Sequence, residues 1–131
     1  MKGLAFIVVA VAALAASGAV TAHHAANAVY DVSKLAVMKG ELKRVEWVNP
    51  HAKFHFYEVD AAGKRVSEDA WVLETGGPTA MRRMGMSGAG MMKVGEIFTV
   101  SYRPARNGGK LGLMTILEFP DGRKFSQLPV N

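Results

Sequence analysis

The chain has no cysteine. That excludes a disulfide framework, a thiolate metal centre and thiol nucleophile chemistry at one stroke. Proline is scarce, at five residues, and aromatics make up only 8% of the chain, with two tryptophans. A proline-rich linker is therefore excluded, and any stacking surface for a ligand must draw on few rings. There is no long run of one charge sign: 16 Lys and Arg are interleaved with 11 Asp and Glu. Scattered basic residues form a solvated surface rather than a nucleic-acid stripe, so no nucleic-acid partner is expected. Enzyme signatures are lacking too. G-x-S-x-G and H-E-x-x-H do not occur, and "GMSGAG" lacks the Lys-Ser/Thr that completes a phosphate loop. No catalysis is expected, although His51 near Glu74 has acid–base capacity in principle.

What is present begins with a leader pattern. After Met1-Lys2 come thirteen apolar residues, Leu4 to Ala16, and then the small residues Ser17 to Ala22. A positive start, an apolar run and a small-residue cleavage region read as a secretory signal peptide over residues 1–22. A permanent membrane span needs ~20 apolar residues, so this run is short for one, and an uncleaved anchor is the alternative reading. Cleavage after Ala22 leaves 109 of the 131 residues and lowers the net charge from +5 to +4 by removing Lys2. Cleavage after Ala19 is the competing choice. The expected location is periplasmic or secreted, and 109 residues suffice for one core without staples.

The rest divides into an arm, residues 23–39, and a domain, residues 40–131. Lys39-Gly40 reads as a turn. "ELKRVEWV", residues 41–48, reads as a half-buried strand that Asn49-Pro50 stops, since proline cannot donate to a ladder. In "HAKFHFYEV", Ala52, Phe54 and Phe56 alternate with His51, Lys53, His55 and Tyr57, so the first set faces the core. "DAAGK" is a hairpin turn with Gly63 at a positive-φ site. A third strand lies within 67–74. Pro78 opens a short helix to about Met84, capped by Gly85. "IFTVSY" and "LMTILEF" are strands four and five, and "KFSQL" after the Asp121-Gly122 turn adds a short sixth. The expected fold is all-β: a small OB-like closed antiparallel barrel of five to six strands with one short helix.

In chain order, His23-His24, Tyr30-Asp31, Gly40, "WVNPH" at 47–51, "WVLE" at 71–74, Pro78, Arg83, Gly85, Gly95, "YRPARNG" at 102–108 and "DGR" at 121–123 resemble a family of small exported bacterial proteins, domain-of-unknown-function family 6152. The resemblance covers essentially all of the mature chain. It implies an exported, single-domain, β-rich protein and carries no established activity.

Function must then be read from residues. If cleavage follows Ala22, the mature chain begins His23-His24. A terminal histidine offers its α-amine and ring nitrogen to one ion, and imidazole suits copper and zinc, with copper highest in affinity. The expected metal ligands are His23 and His24, with His51 as a third; the bland alternative is a hydrophilic start that aids processing. His51 and His55 lie four strand steps apart, ~13 Å, too far to share one ion. Five methionines between 81 and 92 could serve Cu(I), but their spacing suits packing by a helix that plugs a barrel. A second reading, from another class, is a cell-envelope barrel that binds an anionic ligand or a protein. Arg103 and Arg106 would offer planar forks, with Trp47 or Trp71 as a stacking wall. The bland alternative there is an internal ion pair with Glu74.

Overall fold

A computed structural model describes residues 25–127. The expected leader, and with it His23 and His24, lies outside the described residues.

Among the described residues, six strands carry the fold: β1 (Ala36–Glu46), β2 (Lys53–Val59), β3 (Trp71–Glu74), β4 (Ile97–Pro104), β5 (Leu111–Glu118) and β6 (Lys124–Ser126). Helix α1 (Pro78–Arg83) and a 3-10 turn (Ala89–Met91) join β3 to β4. The sheet order is β3-β2-β1-β4-β5-β6, and β3 also pairs with β5, closing five strands into a barrel with β6 as an extra strand. The β1–β2, β1–β4, β2–β3 and β4–β5 seams are antiparallel. The closing β3–β5 seam is parallel, with Glu74 opposite Leu113. A helix between strands three and four of a closed five-stranded barrel is the OB-like plan, as the sequence led us to expect.

The long β1 makes closure possible. Ala36–Glu41 pairs with β4, and Lys39–Glu46 pairs with β2, so the central residues serve both neighbours. The turn expected at Lys39-Gly40 is thus not a turn. The strand runs through it, and Gly40 is there for space: a Cβ would stand 2.9 Å from Phe56 Cβ. A register shift between Leu42 and Arg44 bends β1 further.

Alternation sets the core as expected. Ala52, Phe54 and Phe56 of the second strand region are fully buried, as are Phe98 and Val100 of β4 and Leu73 of β3. Each large buried side chain contributes on the order of 1.5–3 kcal/mol by leaving water. Proline starts α1, and Gly85 follows its cap, Met84, at φ +97°. Met81, Met86 and Met92 from this connection are buried in the core, while Met84 and Met91 pack partly buried against it. Gly63, Gly95 and Gly122 also have positive φ, which the hairpin and turn readings require. No helix among the described residues is long and apolar enough to cross a membrane.

Candidate functional site

The arm is bound to the barrel by specific contacts. Residues 25–29 are helical, and Tyr30 is 4% exposed. Tyr30 bridges to Ala105, the Asp31 N–H donates to Pro104 O at 2.9 Å, and the Arg106 N–H donates to Val29 O at 2.9 Å. Two arginines complete the clamp. Arg103 Nη1 donates to Val32 O at 2.6 Å and Lys34 O at 3.2 Å. Arg106 Nε donates to Asn27 O at 2.8 Å.

Between the docked arm and the barrel lies a cleft of about 280 Å3. Ala25, Ala26, Val29 and Tyr30 form the arm side; His51, Glu74 and Leu113 form the barrel side. Its walls are largely apolar, and its polar groups converge on one carboxylate. The Tyr30 hydroxyl donates to Glu74 Oε2 at 2.7 Å. His51 Nδ1 stands 3.9 Å from the same oxygen, and Lys53 Nζ stands 4.0 Å from Oε1. Burial, followed by the bond to Glu74 and its charge, raises the Tyr30 phenol well above its usual range. Tyr30 therefore stays protonated and acts as a donor to the carboxylate.

Local backbone structure explains why His51 sits there. The Asn49-Pro50 peptide is cis. This turn presses on Gly77, where a Cβ would meet Pro50 O at 2.6 Å and Asn49 Oδ1 at 2.9 Å. On the other side of His51, the Ala52 N–H donates to Gly76 O, and Ala52 O accepts from the Thr75 N–H at 3.0 Å. His51 is exposed but is carried on backbone pinned before and after it. Glu74 is fixed by its place in β3 opposite Lys53 of β2.

The other residues singled out by sequence are placed differently. His55 is buried, and its Nε2 lies 2.7 Å from Glu46 Oε1, which also pairs with Arg44 Nη1 at 2.9 Å. Burial holds the His55 imidazole below its ordinary pKa, against the opposing pull of Glu46. His51 and His55 thus face different carboxylates. Trp71 donates from Nε1 to Glu58 Oε2 and tilts against Tyr102 with ring centres 5.1 Å apart. Trp47 packs half-buried on the core with its Nε1 buried and unpartnered. The Arg103 and Arg106 guanidinium groups hold the arm. Among the described residues, the basic side chains paired with Glu74 are Lys53 and His51, and no arginine is among them. Among the described residues, no group of three His, Asp or Glu converges on a metal position.

A second cleft, about 270 Å3, lies by Met91, Lys93, Glu96, Phe119 and Arg123. Its polar groups are largely spent on one another: Arg123 pairs with Asp121 at 2.8 Å and stacks over Phe119, and Glu96 accepts from the Lys93 N–H.

Reasoning from sequence missed Tyr30 as part of the site. The available signal was an aromatic residue in an Ala- and Asn-rich arm, where a ring has no reason to occur unless it docks. No curated protein and no solved structure matches the chain. A family model does match, over residues 10–115. This small OB-like barrel with its docked arm belongs to the family of unknown function DUF6152.

Proposed function

We propose that this chain is an exported binding module of the periplasm. In this reading the leader, residues 1–22, is removed, and the barrel holds a transition metal, copper before others, where the arm meets it. His23 and His24 supply the first ligands and His51 a third. One observation carries the reading: His51 stands with Glu74 in the cleft whose arm side begins at Ala25, the residue bonded to His24. The histidine chosen from sequence as the third ligand thus lines the cleft nearest in the chain to the histidine pair. Imidazole ligands suit copper and zinc, and copper leads the affinity order. An anion-binding mouth at Arg103 and Arg106 has less support, because both side chains already donate to arm carbonyls.

The test is a native mass spectrum of the untagged protein, exported by its own signal and exposed to Cu(II) beside a mild chelator. A mass beginning at His23 with one retained copper, lost in His51→Ala, is the expected result. A chain that keeps no copper against the chelator refutes the metal reading. A different N-terminus refutes the terminal chelate.

A further inference from the structure

We infer that the arm is exchangeable: the slot that holds residues 27–31 of its own chain also takes the same segment of a second copy, and two chains assemble by trading arms. The inference goes beyond the metal reading and does not depend on it. Segment 27–31 is held by bonds to barrel residues far along the chain. The Asp31 N–H donates to Pro104 O, the Arg106 N–H to Val29 O, Arg106 Nε to Asn27 O and the Tyr30 hydroxyl to Glu74. The first three involve main-chain atoms of the arm, which is how an exposed sheet edge accepts an added strand. The fourth anchors one buried ring, at the point where Tyr30 bridges to Ala105. None of them uses the covalent link between arm and barrel, so an identical arm from another copy satisfies each one. In the exchanged pair, Ala25, Ala26, Val29 and Tyr30 of one copy line a cleft with His51, Glu74 and Leu113 of the other.

The hinge permits the exchange. Val32 to Leu35 link the docked segment to β1 through a reversal that contains no glycine and no proline. Positive φ among the described residues is confined to glycines elsewhere, so the backbone does not impose this reversal. Local bonds close it. The Lys34 N–H donates to Asp31 O at 3.1 Å, and Asp31 Oδ1 accepts from the Ser33 N–H at 3.2 Å and its hydroxyl at 2.6 Å. Lys34 Nζ pairs with Asp31 Oδ2 at 3.2 Å. These bonds, with those from Arg103 to Val32 O and Lys34 O, are what exchange gives up. Straightened, the five steps from Asp31 to Ala36 reach roughly 17 Å, enough to carry the arm across to a neighbour. Val32, Leu35 and Val37 are exposed apolar side chains on or beside this hinge. Two open hinges pass each other at the two-fold axis of an exchanged dimer, where these side chains of one copy meet those of the other.

The experiment uses the chain exported by its own signal, without added metal, as wild type, Asp31→Ala and Tyr30→Phe. Sedimentation is followed from about 10 μM to about 1 mM, the scale of effective concentration for a tethered segment. Wild type is expected to pass from monomer to dimer across that range. Asp31→Ala weakens the closed turn and keeps the backbone donor to Pro104, so it is expected to dimerise at a concentration at least about tenfold lower. Tyr30→Phe loses its bond equally in closed monomer and exchanged dimer, so its dimerisation constant is expected to match wild type. Mixing of labelled with unlabelled dimers requires arm release, and Tyr30→Phe is expected to speed it by roughly 5- to 30-fold. In mixed dimers of 13C-labelled and unlabelled chains, contacts from the Tyr30 ring to Ala105 are expected to run between chains. Monomers throughout the range in both wild type and Asp31→Ala overturn the exchange. A dimer whose Tyr30–Ala105 contacts all lie within one chain overturns it too, as does a dimer that Tyr30→Phe dissociates.

Discussion

Tyr30→Phe isolates one bond that ties the arm to the barrel. The ring of Tyr30 is 4% exposed, so phenylalanine keeps the packing and loses only the 2.7 Å donation to Glu74. A hydrogen bond to a charged group contributes ~1.5–3 kcal/mol when buried. The Glu74 side chain is 24% exposed, so water replaces part of the loss, and we expect the low end, about 1–2 kcal/mol. At 1.4 kcal/mol per factor of ten, that is roughly a 5- to 30-fold rise in the population of arm-released molecules. Up to Leu35 the arm is attached at its own contacts and lies outside the strand ladders, which begin at Ala36, so the opening is local. Native-state hydrogen exchange is the assay. The Asp31 and Arg106 amides, which donate to Pro104 O and Val29 O, should lose protection by that factor. Amides of the β1–β4 ladder should keep theirs. Tyr30→Ala, which also removes the ring, should cost on the order of 3–5 kcal/mol and expose the cleft outright. Unchanged protection at Asp31 and Arg106 in Tyr30→Phe, or an equal loss across the whole barrel, would refute the picture of a separately docked arm.

Three further outcomes test other parts of the fold. Gly112→Ala puts a Cβ 2.6 Å from Tyr102 Cδ2 and 2.9 Å from Leu73 Cδ2 at the closing seam. It should cost ~1–3 kcal/mol, read as a melting temperature lower by about 4–8 °C per kcal/mol; an unaltered melt contradicts it. His55 is held below its ordinary pKa of 6.5 chiefly by burial. Its neutral form belongs to the fold, so its contribution is whole above pH 6.5 and is lost as pH falls from there toward the folded-state value. Urea midpoints measured from pH 8 down to 5 should fall less steeply in His55→Leu than in wild type, and parallel slopes would remove His55 as the cause. Finally, dilute peroxide should convert Met84 and Met91, which are partly buried, to sulfoxides before the buried Met81, Met86 and Met92. Peptide mass mapping reads the order, and early oxidation of Met81 would contradict its burial.

The strands were legible in the sequence where side chains alternate cleanly. Ala52, Phe54 and Phe56 against Lys53 and Tyr57 announce a strand because a pleated backbone has a period of two. The turns at Gly63 and Gly122 were legible because only glycine takes positive φ without penalty. Gly40 shows where that rule misleads. The same residue type can mark a reversal or a crowded crossing, and a Cβ at Gly40 is excluded by Phe56, which comes from a strand sixteen residues later in the chain. Local pattern holds no information about that neighbour.

The same division governs the site. Sequence by itself determined that His51 and Lys53 lie on one side of the segment leading into β2, that the histidine pair opens the arm, and that no thiol is available. These follow from covalent order, strand period and composition. Only the tertiary structure decided that Tyr30 reaches Glu74 across 44 positions and that Arg103 and Arg106 clamp the arm. It also decided that His55 is buried on Glu46 while His51 stays open beside Glu74. Each of these depends on how a bent β1 and a parallel β3–β5 seam close the barrel, and closure brings together side chains that no local rule relates.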